Sequence, residues 1–437
     1  MRWSWLVLLA ALGCDDGGED AAPDSGAGGA GGMGGAGGVG GAGGMGGMGG
    51  GGPDSDGCYH RVAPADGQEA LQTVLIEAQP GEVVCLEAGT FVLTTEISVS
   101  VDDLTVRGAG MEATILDFSG QTVGSNGVLI SGDGVIVEDF QIKDSPGDGI
   151  RAQAVDGVVF RRIRALWSTP ESGDNGAYGL YPVGSTNVLV EGCIVSGASD
   201  AGIYVGQSTR ILVKDSEAFG NVAGIEIENS SDAEVVGNHA HDNTGGILVF
   251  NLPELPMKNG ERTLVHQNTI ENNNIANFGK AGSVVSLVPG GSGAFLLAAD
   301  HNEFRNNIIR GNSSAGLLLI SYLPDLMGAY EDAEFDRFAQ ENAIHDNEFS
   351  NNGTGPQGIL RDLGLMQGAD ILTDGCQAMG TPTGGNCIRE AEGLVFANLL
   401  TDLVPALGLD YCAEPLADPE DLTPYDCELD PLPGQSF

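Results

Sequence analysis

A short phrase returns at near-constant intervals through the middle of the chain. It reads GVLI at Gly127, GIRA at Gly149, GLYPVG at Gly179, GIYVG at Gly202, GIEIE at Gly224 and GILVF at Gly246, spaced 22, 30, 23, 22 and 22 residues apart. A second phrase alternates with it: VIVEDFQI from Val135, VVFRRIRA from Val158, VLVEGCIV from Val188, ILVKDSEA from Ile211 and AEVVGNHA from Ala233. Both have the period-2 alternation of strands, and Gly, Asn, Asp and Ser separate them. A unit this short cannot bury its own apolar face and must stack on its neighbours. The pattern predicts an all-β fold, a single-stranded right-handed parallel β-helix with one coil per repeat.

The repeat extends to TLVHQNTIENN at Thr263, EFRNNIIRGN at Glu303 and AIHDNEFSNN at Ala343, so the β-helix is expected over 83–355. Asn238, Asn268, Asn307 and Asn347 fall at equivalent places, and Asn221 and Asn243 at another. Asn tolerates the left-handed bend of a corner, and its amide can bond to the next Asn along the stack. Upstream, DGQEALQTVLIEA predicts a helix N-capped by Asp66 with Glu69 as its capping-box partner. Within an N-terminal cap over 58–82, it would cover the open end of the coil. The proline-rich residues 356–437 are expected to cap the other end.

The first residues, MRWSWLVLLAALGC, read as an export signal: one base, an apolar run and small residues before Cys14. Ala11-Leu12-Gly13-Cys14 resembles a lipobox, which implies a lipid anchor on Cys14. The Gly-rich stretch over 15–57 has no core-forming content and is expected to be a flexible tether with a reach of roughly 35–40 Å. Export fits the cysteines. Cys58 and Cys85 are expected to pair, as are Cys376 with Cys387 and Cys412 with Cys427, while Cys193 falls at an interior position of the repeat and is expected as a buried thiol. Sixty-one acids against 18 bases give a formal charge of −43, which disfavours nucleic acid as a partner.

Alternation on the G-I-x-V strand turns the residue after Ile outward. That column reads Arg151, Tyr181, Tyr204, Glu226 and Leu248, and two positions on it reads Gln153, Val183, Gly206, Glu228 and Phe250. Turns beside it carry Tyr178, Asp200, Gln207, Asn229, Asp242 and Asn251, with His241 nearby. Aromatic faces stack on sugar rings and carboxylates and amides bond hydroxyls, so this strip is the candidate surface for a carbohydrate polymer. Glu226 and Glu228 share a face, some 5–7 Å apart by the strand repeat, and like charge raises one pKa of such a pair. In an enzyme they would be the acid/base, Tyr204 or Tyr181 a proton donor and Arg151 a uronate clamp. The same acids could instead bind Ca2+. His239 and His241 share a side of a strand end, but sequence offers no third ligand, and corner packing is the expectation. Inserts at 167–177, 252–262, 275–291 and 321–341 all adjoin the G-I-x-V strand and are expected to wall a groove.

Together the repeats (SPGDGIRA, SDAGIYVGQS, VAGIEIENS, HAHDNTGGILVFN), the lipobox and the tether resemble the bacterial right-handed parallel β-helix repeat lipoproteins. These are related to the β-helix fold of carbohydrate-binding and sugar-hydrolase domains. The resemblance implies a cell-envelope protein that binds an oligo- or polysaccharide. Alternatives are a lyase, C5-epimerase or hydrolase acting on it, or a structural spacer. The chain lacks the D-P-H-D-type tetrad of epimerases, the signatures of polygalacturonases and the lysine of lyases, so the likeness carries the fold and no particular activity.

Overall fold

The computed structural model describes residues 52–375, 382–399 and 420–437. The export signal with Cys14, the tether up to residue 51, Cys376 and Cys412 lie outside the described residues. All the strand pairings are parallel, and each strand pairs with its counterpart one repeat away. Each coil has three faces. The first carries the V-x-V strands (Thr209–Lys214, Ser231–Val236, Thr263–His266), and the second carries three-residue strands (Glu217–Phe219, His239–His241, Thr269–Glu271). The third is an 11-stranded sheet of the G-I-x-V strands, among them Ile150–Gln153, Tyr178–Val183, Ala201–Gly206, Ala223–Glu228 and Gly245–Phe250. This is the expected right-handed parallel β-helix.

Interior columns such as Ile150, Leu180, Ile203, Ile225 and Ile247 are fully buried and form one core along the axis. Cys193 is buried in it as a free thiol. The corners are tied by side-chain amides. Asn221 donates to Asn243 Oδ1 (3.1 Å), Asn243 to Asn273 Oδ1 (3.0 Å) and Asn273 to Asn312 Oδ1 (3.1 Å). Asn238, Asn268, Asn307 and Asn347 form a second ladder at 2.8–3.0 Å. A third, absent from the sequence reading, runs through Asn302, Asn342 and Asn386.

Three expectations change. Asp66 does stand at the start of the helix Gly67–Glu77, but its carboxylate accepts from Ala63 N–H (2.8 Å) and closes the preceding turn instead of capping the helix. The helix still buries Leu71 and Leu75 against the first coils. Strand pairing also runs past residue 355, through Ala369–Thr373, Cys387–Arg389 and Phe396–Asn398. A long insert between Ser350 and Ala369 hides this continuation from a periodic reading. Finally, Cys58 bonds Cys85 as expected, but Cys387 bonds Cys427, not Cys376. The returning C-terminal segment brings Cys427 to the last coil, so proximity in space overrides proximity in sequence. That segment continues across the first face: Glu428 meets Arg389 (3.2 Å), and Leu432 N–H donates to Glu303 Oε2 (2.6 Å).

A tyrosine and carboxyl strip under the inserts

Register lines up the outward column as alternation required. Tyr181 stands beside Arg151, Tyr204 beside Glu226, Glu226 beside Leu248, and Glu228 beside Phe250. What alternation could not give is the cover. The column continues as Leu248, Phe295, Leu318 and Leu372, which are all buried. Val285 and Val288 of the 275–291 insert pack with Ala201, Tyr204, Ala223 and Leu248 in one apolar cluster, with Phe278 and Val284 against it. Tyr204, Glu226 and Glu228 are therefore only 4, 3 and 8% exposed, not the groove floor that was expected. The apolar residues of SVVSLVPGG were the signal in the sequence for a segment that lies down on the sheet.

The strip remains open at its N-terminal end. Arg151, Tyr178, Tyr181 and Asp200 are half-buried and Gln153 is exposed. Tyr178 and Tyr181 form the wall there with the buried Tyr204 behind them, Tyr178 lying 4.4 Å from Tyr181 and 4.5 Å from Tyr204 between ring centroids, with Tyr181 and Tyr204 5.0 Å apart. The Arg151 guanidinium lies over the Tyr181 ring (5.0 Å), with Nη1 4.0 Å from Asp148 Oδ2 and a buried Nε that has no acceptor. Behind the tyrosines stand the acids. The Tyr204 hydroxyl donates to Glu228 Oε1 (2.6 Å), and Tyr178 donates to Asp200.

Burial governs the protons here. It pushes Asp200 up to about 8, helped by the charge of Glu228 and eased by the Tyr178 hydroxyl. It pushes Asp148 up to about 6, eased by Arg151. Glu228 rises to about 7 by burial, while the hydrogen bonds from Tyr204 and Glu226 hold it down. Glu226 rises well above the usual carboxyl range through burial and the charges of Asp200 and Glu228. Glu226 Oε2 is buried with no hydrogen-bond partner, which adds to the cost of ionising this carboxyl. Burial also pushes Tyr181 up to about 12, so the phenols stay protonated. The environment separates two neighbouring carboxyls into a proton donor and an acceptor, the arrangement acid–base chemistry uses. A Ca2+ ion here would need Asp200, Glu226 and Glu228 to share it, and among the described residues the one group of three such side chains close enough to share an ion lies elsewhere.

Several expected members do not join the strip. Asn229 is buried and pins the 252–262 insert through Leu252 and Met257 (3.0 Å each). Asn251 is spent on Gly260 and Ala298. Phe250 meets Phe295 edge to face (5.0 Å) and lines a small apolar cavity of ≈ 70 Å³. His241 and Asp242 belong to the second face, where His241 meets Glu217 and Phe219. Gln207 stays half-buried in the turn after the Tyr204 strand. Asp148, in the turn before the Arg151 strand, joins the site through Arg151.

A family model described as a right handed beta helix region matches residues 126–260 and 250–398. Among solved structures, the A-module of the mannuronan C-5 epimerase AlgE6 of Azotobacter vinelandii is similar. It is 14% identical with a TM-score of 0.50, covering 75% of this chain and 87% of that one. The AlgE4 A-module from the same organism is 14% identical (TM-score 0.48; 75% and 90% covered). DFA-IIIase from Arthrobacter chlorophenolicus A6 is 11% identical (TM-score 0.45; 72% and 91% covered). At 14% identity the likeness to the AlgE6 A-module is one of fold alone. No curated protein matches the sequence.

Proposed function

The chain belongs to the right-handed β-helix family, and from that premise we propose that it is an exported cell-envelope protein, anchored through Cys14, that binds an oligo- or polysaccharide at the open end of the tyrosine strip. The observation that carries this reading is the wall of Tyr178 and Tyr181, backed by Tyr204, with Arg151, Asp148 and Asp200 at its edge. Tyrosine rings supply flat apolar area for a sugar's C–H face, while the acids and the guanidinium bond its hydroxyls or a uronate carboxylate. The strand sheet fixes these groups at the coil spacing, so little ordering cost accompanies binding. A panel of neutral and acidic glycans, screened with and without Ca2+, tests it. Tyr181→Ala and Arg151→Ala should each weaken binding about tenfold, or ~1.4 kcal/mol, at unchanged melting temperature. Full binding in both variants, or none to any glycan by the parent chain, would sink the proposal.

A second reading, enzymatic action on that glycan, is favoured by the neighbouring buried carboxyls of Glu226 and Glu228, both pushed up by burial and Glu226 further. A binding surface gains nothing from a neutral buried carboxyl, whereas a donor and acceptor side by side suit cleavage or epimerisation of a sugar. Asp200 extends the pair towards the opening. New reducing ends or unsaturated uronate absorbance, abolished in Glu228→Gln, would establish turnover; a bound glycan that stays chemically unchanged counts against it.

A further inference from the structure

The second face carries a cluster independent of the tyrosine strip. His239 and His241 point outward from one three-residue strand, and their rings lie 4.1 Å apart between centroids. Glu217, from the preceding coil, is paired in register with His239, and its Oε1 sits 3.0 Å from His241 Nε2. Ligand atoms of Glu217, His239 and His241 all lie within 4.8 Å of one another, and each residue is partly solvent-exposed. The third ligand that sequence could not supply comes from the coil below.

Other features set this place apart from ordinary ion pairing. His241 Nδ1 is held by Asp242 Oδ2 (2.8 Å), and Phe219 stacks on the same ring (5.3 Å). A carboxylate on Nδ1 fixes the ring and presents Nε2 as the ligand atom, the support that metal-bound imidazoles commonly have. His239 Nε2 meets Glu271 Oε1 (3.0 Å) from the following coil, and Glu271 is itself held by Arg310 (2.6 Å). His345 repeats the Asp and Glu contacts of His241 but has no second imidazole beside it. Among the described residues, this is the one group of three or more such side chains close enough to share an ion.

We propose that Glu217, His239 and His241 bind a borderline divalent transition-metal ion of the Zn2+ class, with Asp242 as the positioning residue and the remaining coordination positions open to water. Imidazole and carboxylate ligands at about 2.0–2.2 Å suit that class, whereas Ca2+ prefers six to eight oxygens. Cations are drawn to the molecule by its formal charge of −43.

The test is Zn2+ binding to the full chain by competition with a chromophoric chelator, with Co2+ absorption as the second readout. The expected result is one tight equivalent and a visible Co2+ band. His239→Ala and His241→Ala should each weaken Zn2+ about tenfold or more, and Asp242→Asn should weaken it by a similar factor. His345→Ala should leave binding unchanged. A His239→Ala/His241→Ala double variant that binds Zn2+ as well as the parent, or loss of binding with His345→Ala alone, overturns the proposal. So does a parent chain with no tight equivalent.

Discussion

Glu226, Glu228 and Asp200 hold protons at a pH where free carboxyls have released them, and this couples stability to pH. Folded-state values near 6 for Asp148, 7 for Glu228 and 8 for Asp200 lie above the unfolded value, so the native chain binds more protons than the unfolded one between about pH 4 and 8. Their contribution to stability is therefore fully present below about pH 4, falls as the pH rises through these values, and levels off above about 8. Asp54, Asp117 and Glu191, held low mainly by hydrogen bonds and ion pairs that outweigh burial, act oppositely and withdraw support in acid. Asp200→Asn should melt close to the parent at pH 5 and a few degrees above it at pH 8.5. Superimposed melting curves at pH 8.5 would show that Asp200 is not paying for its burial. The convergence of Tyr204, Glu226 and Glu228 was legible in sequence because strand alternation and a regular register fix it. Their burial was not, because the cover comes from residues 275–291, which obey no period and lie some fifty residues away in the chain. The Cys387–Cys427 bond escaped for the same reason.

The coil is specified by a glycine and an asparagine acting together, which explains why the repeating phrase begins with Gly. A Cβ on Gly224 would meet Gly246 O at 2.6 Å and Asn243 Nδ2 at 2.9 Å; one on Gly246 would meet Gly293 O at 2.4 Å and Asn273 Nδ2 at 2.8 Å. The corner amide and the next coil's carbonyl fill the space where any other side chain would begin. Gly224→Ala should cost ~1–3 kcal/mol by overpacking, read as a lower denaturant midpoint. Asn243→Ala acts on the other half of the pair. It strands Asn221 N–H (3.0 Å) and removes the side-chain donor to the Ala218 carbonyl (2.9 Å) in a dry corner, while Asn273 Oδ1 keeps the backbone N–H of residue 243 (3.2 Å). A loss on the order of 3 kcal/mol is expected, since each buried orphan costs ~1–3 kcal/mol. A midpoint unchanged in Asn243→Ala would mean that water enters the corner and replaces the ladder. At this scale the sequence was informative: two of the three ladders, the strand faces and the insert sites follow from spacing alone, while the Asn302–Asn342–Asn386 ladder does not. The Asp66 contact was not, because a capping motif does not reveal whether a tight turn precedes the helix.

Each coil touches chiefly the coil above and the coil below, so the molecule's stability is closer to a chain of neighbour terms than to a single core. The ends are then the weak points, and different devices guard them. At the N-terminal end the helix Gly67–Glu77 lays Leu71 and Leu75 on the first coils, and Cys58–Cys85 ties the segment just before the strand His60–Val62 to the strand Val83–Leu86. At the other end Cys387–Cys427 fastens the last coils to a segment that runs back across the first face as far as Glu234, which accepts from Gln435 N–H. Replacing both Cys387 and Cys427 by Ser should remove ~2–4 kcal/mol of constraint, felt locally. Amide exchange should accelerate in Ala369–Thr373, Cys387–Arg389 and Phe396–Asn398, while Ala201–Gly206 and Ala223–Glu228 keep their protection. Equal loss of protection along the whole coil would mean that the returning segment couples distant coils into one cooperative unit. The strip at Tyr181 would then depend on a disulfide at the far end, and its binding would be redox-sensitive. With neighbour coupling alone, the strip keeps its geometry when the end frays, because the 275–291 cover and the Asn ladders hold the intervening coils.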